Sequence, residues 1–131
     1  MQIKVKPEKR DGKNALIVED NAAIKKMIVD AFLSNGFKTC VGADNGKEAI
    51  ELARQLNPDV ITLDLLMPVL SGLQAAPELR KLFPKIPIIL FTLYNSVALE
   101  ADAAKAGIDL VLAKSVPLPT LVQRAHELMG D

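Results

Sequence analysis

The sequence predicts an α/β domain built on a doubly wound, five-stranded parallel sheet with five helices. Three observations point there. Short apolar runs alternate strictly with segments whose apolar residues recur at helical spacing. The apolar runs are continuous rather than alternating, as in strands buried on both faces by covering helices. The first, third, fourth and fifth runs close on Glu19-Asp20, Asp64, Thr92 and Lys114, so these polar groups gather at the carboxyl ends of the strands.

The first strand is Ala15-Leu16-Ile17-Val18, closing on Glu19-Asp20. Ile24, Met27, Ile28, Ala31 and Phe32 then mark a helix that Gly36 stops. Phe37 to Ala43 is the second strand, and a helix from Gly46 to Leu56 turns Ala49, Leu52, Ala53 and Leu56 inward before Asn57-Pro58 breaks it. Val60-Ile61-Thr62-Leu63 is the third strand, ending at Asp64, with a loop from Leu65 to Gly72. A helical pattern then reaches Phe83 with Pro77 inside it. Proline lacks the N–H that would bond Leu73, so a late start or a distorted first turn is expected. Ile86 to Phe91 leads to Thr92. Ser96 to Ala106 is an alanine-rich helix stopped by Gly107. Leu110 to Ala113 ends at Lys114, and Pro119 to Met129 closes the chain with Leu121, Val122, Ala125 and Leu128 on one face. Right-handed crossovers and five strands favour the flavodoxin-like order 2-1-3-4-5.

The chain has 131 residues, enough for one domain, and half of them are hydrophobic. Residues 1–13 carry Lys4, Lys6, Lys9, Arg10 and Lys13 against Glu8 and Asp11, and read as a solvated leader ahead of a domain over 14–131. Basic and acidic residues balance at 16 each, which gives no support to nucleic-acid binding. A charged start without an apolar stretch is not a signal peptide, and no run approaches the ~20 apolar residues of a membrane span. Cys40 is the one cysteine, so no internal disulfide forms; it alternates with polar Thr39 and is expected in the core. A cytoplasmic location is the expectation. His126, among polar neighbours on the last helix, reads as a surface residue.

In a doubly wound sheet, ligands bind beyond the carboxyl ends of the strands, at the switch point. Strands one and three are neighbours in the expected order, about 4.8 Å apart, so Glu19, Asp20 and Asp64 converge. Strand five lies two places from strand three, and Lys114 must span roughly 10 Å at its base. Three close carboxylates must share protons or hold a cation. Oxygen ligands without histidine or cysteine suit a hard divalent ion, with Mg2+ the natural choice. Carboxylate nucleophile, Mg2+, Lys114 and the Thr92 hydroxyl together fit phosphoryl transfer. Taken singly, each residue has a plainer role; Asp20, for instance, suits the cap of the first helix.

Leu16-Ile17-Val18-Glu19-Asp20-Asn21, Pro58-Asp59-Val60-Ile61-Thr62-Leu63-Asp64 with Met67-Pro68 and Gly72, then Thr92, then Ala106-Gly107-Ile108-Asp109 and Lys114, form an ordered set over Asn14 to Met129. This set resembles the receiver domains of bacterial two-component response regulators. The resemblance implies that Asp64 accepts phosphate from a phosphohistidine on a sensor histidine kinase or a histidine phosphotransfer protein. It implies Mg2+ bound by Glu19, Asp20, Asp64 and the backbone carbonyl of Leu66, with Thr92 and Lys114 on the phosphoryl group. It also implies a downstream protein partner, no outside substrate, and a shift in the packing of the last helices and strands. No output domain follows within these residues, so a free-standing regulator or an excised receiver is expected.

Three positions depart from the family pattern. Ser115 follows Lys114 where the family has a proline after a cis bond, and a cis bond before a non-proline residue costs about 2.5–4 kcal/mol. Val111 stands where the last strand usually carries a switching aromatic, and Leu93 where a small residue usually follows the threonine. Two other readings compete. A degenerate receiver acting as a phosphorylation-independent scaffold would retain the fold alone. An aspartyl-phosphate phosphatase would want an acid two residues after the nucleophile, where Leu66 stands. Leu66 and Tyr94, each two residues past a site residue, are placed to overhang a phosphoryl group and slow its hydrolysis.

Overall fold

The computed structural model describes residues 12–130. Apart from Gly12 and Lys13, the expected leader lies outside them. The elements run β1 (Lys13–Val18), α1 (Ala22–Leu33), β2 (Phe37–Ala43), α2 (Gly46–Leu56), β3 (Val60–Leu63), α3 (Gly72–Leu82), β4 (Ile88–Thr92), α4 (Val97–Lys105), β5 (Leu110–Ala113) and α5 (Leu118–Met129). The strands are parallel, in the order β2-β1-β3-β4-β5, as the alternation predicts.

Successive strand residues face opposite sides of the sheet, and each side has its own core. Ala15, Ile17, Ile89 and Phe91 pack with Ile28 and Phe32 of α1 and with Leu121, Val122 and Ala125 of α5. Leu16, Val18, Ile61, Leu63, Ile88 and Leu90 pack with Ala49 and Ala53 of α2, Ala75, Ala76 and Leu79 of α3, and Ala103 of α4. The continuous apolar runs therefore do bury both faces. No helix among the described residues is long and apolar enough to cross a membrane.

The helix starts follow capping chemistry. Asn21, not Asp20, caps α1: its side-chain oxygen accepts from the Ile24 N–H at 2.9 Å. The Asp20 carboxylate is thus not needed as the helix cap. α3 corrects the expectation of a late start. It begins at Gly72 and carries Pro77 in its second turn. A capping box fixes that start, with the Ser71 hydroxyl accepting from the Gln74 N–H and the Gln74 side chain accepting from the Ser71 N–H. Pro77 lies on the exposed face, where its ring meets solvent rather than the core. β4 begins at Ile88 instead of Ile86, because Pro87 has no N–H; its carbonyl instead accepts from Ile61.

Arg80 of α3 ties the amino-terminal ends of β4 and β5 together. Its guanidinium donates to the carbonyls of Phe83, Pro84, Ile86 and Gly107 and pairs with Asp109 at 2.7 Å. The same Asp109 oxygen accepts from the Ile88 N–H at 2.8 Å. His126 is half-buried rather than a free surface residue: its ring packs on Phe37 at 4.9 Å between centroids, and Nε2 lies 2.8 Å from the Asn35 carbonyl. Cys40 is partly buried against the α1 side, and burial pushes its thiol up to about 12.

Candidate functional site

Parallel register brings the site together. Val18 pairs with Leu63, so the next residues, Glu19 and Asp64, leave the sheet side by side. The Asp64 N–H donates to the Val18 carbonyl at 2.9 Å and fixes the start of its loop. Thr92 pairs with Ala113, and the Lys114 N–H donates to the Thr92 carbonyl at 2.7 Å. Glu19, Asp20, Asp64, Leu66, Thr92 and Lys114 all line one cleft of about 210 Å³ at the carboxyl end of the sheet.

Glu19, Asp20 and Asp64 each offer a carboxylate oxygen, and these lie within 4.8 Å of one another, close enough to share a metal ion. Glu19 and Asp64 are buried while Asp20 faces solvent. Lys114 spans the width of two strands. Its Nζ sits 2.7 Å from Glu19 Oε1 and 3.4 Å from Asp64 Oδ1, with the side chain only 9% exposed. Burial pushes the Glu19 carboxyl above its ordinary range; the Lys114 hydrogen bond pulls it back, and the Asp64 charge adds to the rise. The cluster thus holds more negative charge than its single lysine offsets, which is the condition for recruiting a cation.

Thr92 is buried at the rim, and its hydroxyl oxygen accepts from the Tyr94 N–H at 3.3 Å. Its own proton remains available to an acceptor in the cleft. Leu66, Leu93 and Tyr94 form the outer wall, and all three are more than half exposed. Leu93 leans outward at 71% exposure, so it does not fill the site.

Two residues that the sequence offered only as parts of the ordered set, without a role, take part in the site. The Asn21 N–H donates to Glu19 Oε2 at 3.2 Å, holding the second carboxylate oxygen. Its signal was an N-cap residue directly after the acidic pair. Gly72 lets α3 approach the site: a Cβ there would lie 2.3 Å from the Asp64 carbonyl oxygen. The departures also resolve structurally. Lys114 and Ser115 occupy the centre of a turn closed by the Val116 N–H on the Ala113 carbonyl at 3.1 Å, and no cis peptide bond occurs among the described residues. Val111 is half-buried and packs at the edge of the α2–α4 core.

Comparison with known proteins agrees with this architecture. The family profile described as the response regulator receiver domain matches residues 15–126. The chemotaxis protein CheY of Thermotoga maritima is 36% identical over 117 residues, covering 89% of this chain and 98% of the relative. The receiver domain of the Francisella response regulator 1452 superposes with a TM-score of 0.81 at 32% identity, over 90% of this chain and 97% of the other. The CheX–CheY–BeF3–Mg2+ complex of Borrelia burgdorferi shares the fold at a TM-score of 0.82 and 24% identity, over 88% of each chain. The chain belongs to the response regulator receiver domain family, the signalling modules of two-component systems.

Proposed function

We propose that Asp64 accepts a phosphoryl group from a phosphohistidine on a sensor histidine kinase or a histidine phosphotransfer protein, and that the modified domain switches its binding to a downstream protein. The observation that carries this reading is the meeting of three carboxylates and Lys114 at one point on the carboxyl edge of the sheet, with Glu19 and Asp64 buried. A carboxylate oxygen of Asp64 attacks phosphorus in line with the bond to the histidine nitrogen. That bond breaks, and its electron pair returns to the imidazole. The transition state is loose, so the site has to neutralise charge on the equatorial oxygens more than it has to move protons.

Glu19, Asp20 and Asp64, with the Leu66 carbonyl, are the groups that would hold Mg2+. Their hard oxygen donors fit that ion, which supplies charge neutralisation at the phosphoryl oxygens when bound. Relatives of this fold lend support, since a CheY occurs with Mg2+ and BeF3 in the Borrelia complex. Lys114 already reaches Asp64 and provides the second positive charge, and the Thr92 proton is free to donate to a phosphoryl oxygen. The residue two past Asp64 is apolar Leu66, so no general acid stands there for turnover of outside substrates. Leu66 and Tyr94 screen the cleft mouth from attacking water.

Incubation with acetyl phosphate and Mg2+, followed by intact mass measurement, tests this reading. The expected result is a single phosphoryl adduct that requires Mg2+ and is absent from Asp64→Asn. Mg2+ binding without any adduct would favour a scaffold that no longer takes phosphate.

A further inference from the structure

β2 is an outer strand of the sheet, and β1 is its one partner among the described residues. The N–H and C=O groups of successive strand residues point to alternate sides. The Ala43 carbonyl accepts from the Glu19 N–H at 3.0 Å, so Ala43, Val41 and Thr39 face β1. Cys40 and Gly42 therefore turn their N–H and C=O outward, and no backbone group among the described residues meets them. The strand has little to deter pairing. It is seven residues long without a proline, and its one charge, Lys38, sits at the start beside a slip in register. Thr39 to Gly42 are only half-buried, whereas β3 and β4 are buried throughout. Such an edge is a template for one more strand.

The chain enters β1 against the start of β2. Lys13 pairs with Phe37, the register then slips by one residue, and Gly12 lies against the skipped Lys38. Gly12 has φ +90, and a Cβ there would sit 2.7 Å from Lys38 Cβ, so the approach requires glycine. In the sequence ahead of it, Gln2-Ile3-Lys4-Val5-Lys6 alternates polar and apolar residues at the period of a strand with one covered face, and both apolar residues are β-branched. Pro7 follows, a residue that ends strand pairing, and Glu8-Lys9-Arg10-Asp11 is wholly charged, as suits a surface link. From the base of β1 to a position outside β2 is two strand spacings, about 10 Å. The link over residues 7–11 can span up to about 17 Å. β1 and β2 start at the same base, so a segment that reaches β1 by this route runs opposite to β2.

We propose that residues 2–6 of the same chain occupy this edge, pairing antiparallel with β2 as a sixth strand, in place of a solvated leader. They take the outward N–H and C=O groups of Cys40 and Gly42. Ile3 and Val5 extend one face of the sheet beyond its half-buried flank, and Lys4 and Lys6 lie on the other face. The two lysines place charge along the new outer strand and deter a further chain from adding to it. The tether favours this occupant over a second copy. A short link holds the segment at an effective concentration on the order of millimolar, which a separate chain would have to match in solution. The inference does not depend on the reading of Asp64.

Amide hydrogen exchange followed by NMR on the full chain tests it, with the double substitution Ile3→Asp and Val5→Pro as the disrupting variant. The Cys40 and Gly42 amides are expected to exchange slowly in the wild type and about tenfold faster or more in the variant. The Thr39 and Val41 amides, which face β1, should keep their rates and report that the domain stays folded. Nuclear Overhauser contacts between residues 2–6 and β2 are expected in the wild type. In an equal mixture of differently labelled chains they should stay within one chain. Open-chain exchange at Cys40 and Gly42 in the wild type would overturn the proposal, as would slow exchange that the variant leaves unchanged. Equal acceleration of all four amides would point to a loosened domain and count against it. Contacts between chains would assign the edge to a second copy and overturn it as well.

Discussion

Replacing Lys114 by methionine should weaken the metal-free protein and strengthen its hold on Mg2+ at the same time. The side chain is almost fully buried and pairs with both Glu19 and Asp64. At 2.7 and 3.4 Å, in an effective dielectric of ~20, the gross attractions are about 6 and 5 kcal/mol. Desolvation of all three groups cancels most of this. Removing one partner of a buried ion pair nonetheless costs about 3–5 kcal/mol, because the remaining charge stays buried. Asp20 leaves one side of the cluster open to water, so the lower end, about 3 kcal/mol, is expected. The loss should depend on pH. The Glu19 carboxyl lies above its ordinary range, so its contribution to wild-type stability is fully present below the ordinary value and is lost as pH rises through the folded value. In Lys114→Met the two bare carboxylates conflict most when both are ionised. The deficit should therefore be largest near ~pH 8 and shrink near ~pH 5. Mg2+ replaces the missing cation, and its affinity should rise about tenfold, equivalent to about 1.4 kcal/mol. Urea denaturation in chelator at the two pH values and calorimetric Mg2+ titration provide the measurements. A variant as stable as wild type near ~pH 8, with unchanged Mg2+ affinity, would refute the electrostatic coupling read from the geometry.

Three further outcomes follow from the same structure. If Leu66 and Tyr94 screen the cleft, Leu66→Asn or Tyr94→Ala should speed loss of the phosphoryl group, followed by mass over time; unchanged lifetimes in both would end the shielding idea. Gly72→Ala places a methyl 2.3 Å from the Asp64 carbonyl, so it should cost about 1–3 kcal/mol in urea denaturation and lower the yield of adduct. The Cys40 thiol, pushed up to about 12, should resist alkylation near neutral pH until the protein unfolds; rapid labelling of the native protein would show that strand β2 opens.

Much of the fold was legible because the strongest signals were local. Continuous apolar runs such as Ile88 to Phe91 required cover on both sides, and that cover required helices between them. The site was legible for a topological reason: parallel strands all end on the same edge, so residues that close them must meet. Harder to foresee was anything decided by long-range donors. Arg80 satisfies four backbone carbonyls and Asp109, and nothing in its sequence neighbourhood marks those partners. Pro77 misled because its helical cost was weighed without the Ser71–Gln74 capping box that fixes the helix start five residues earlier. His126 was judged by polar neighbours in sequence, whereas the ring it packs on, Phe37, belongs to β2. Val69, at φ +70 with an exposed side chain, is a strained residue for which the sequence offers no cue.

The most direct test of the central claim is to locate the modified atom. Borohydride reduction of an acyl phosphate converts the modified aspartate to homoserine, which peptide mapping then places in the sequence. After treatment with acetyl phosphate and Mg2+, the account predicts homoserine at position 64 alone. Modification at Glu19 or Asp20, or a stable adduct on a hydroxyl such as Thr92, would contradict it.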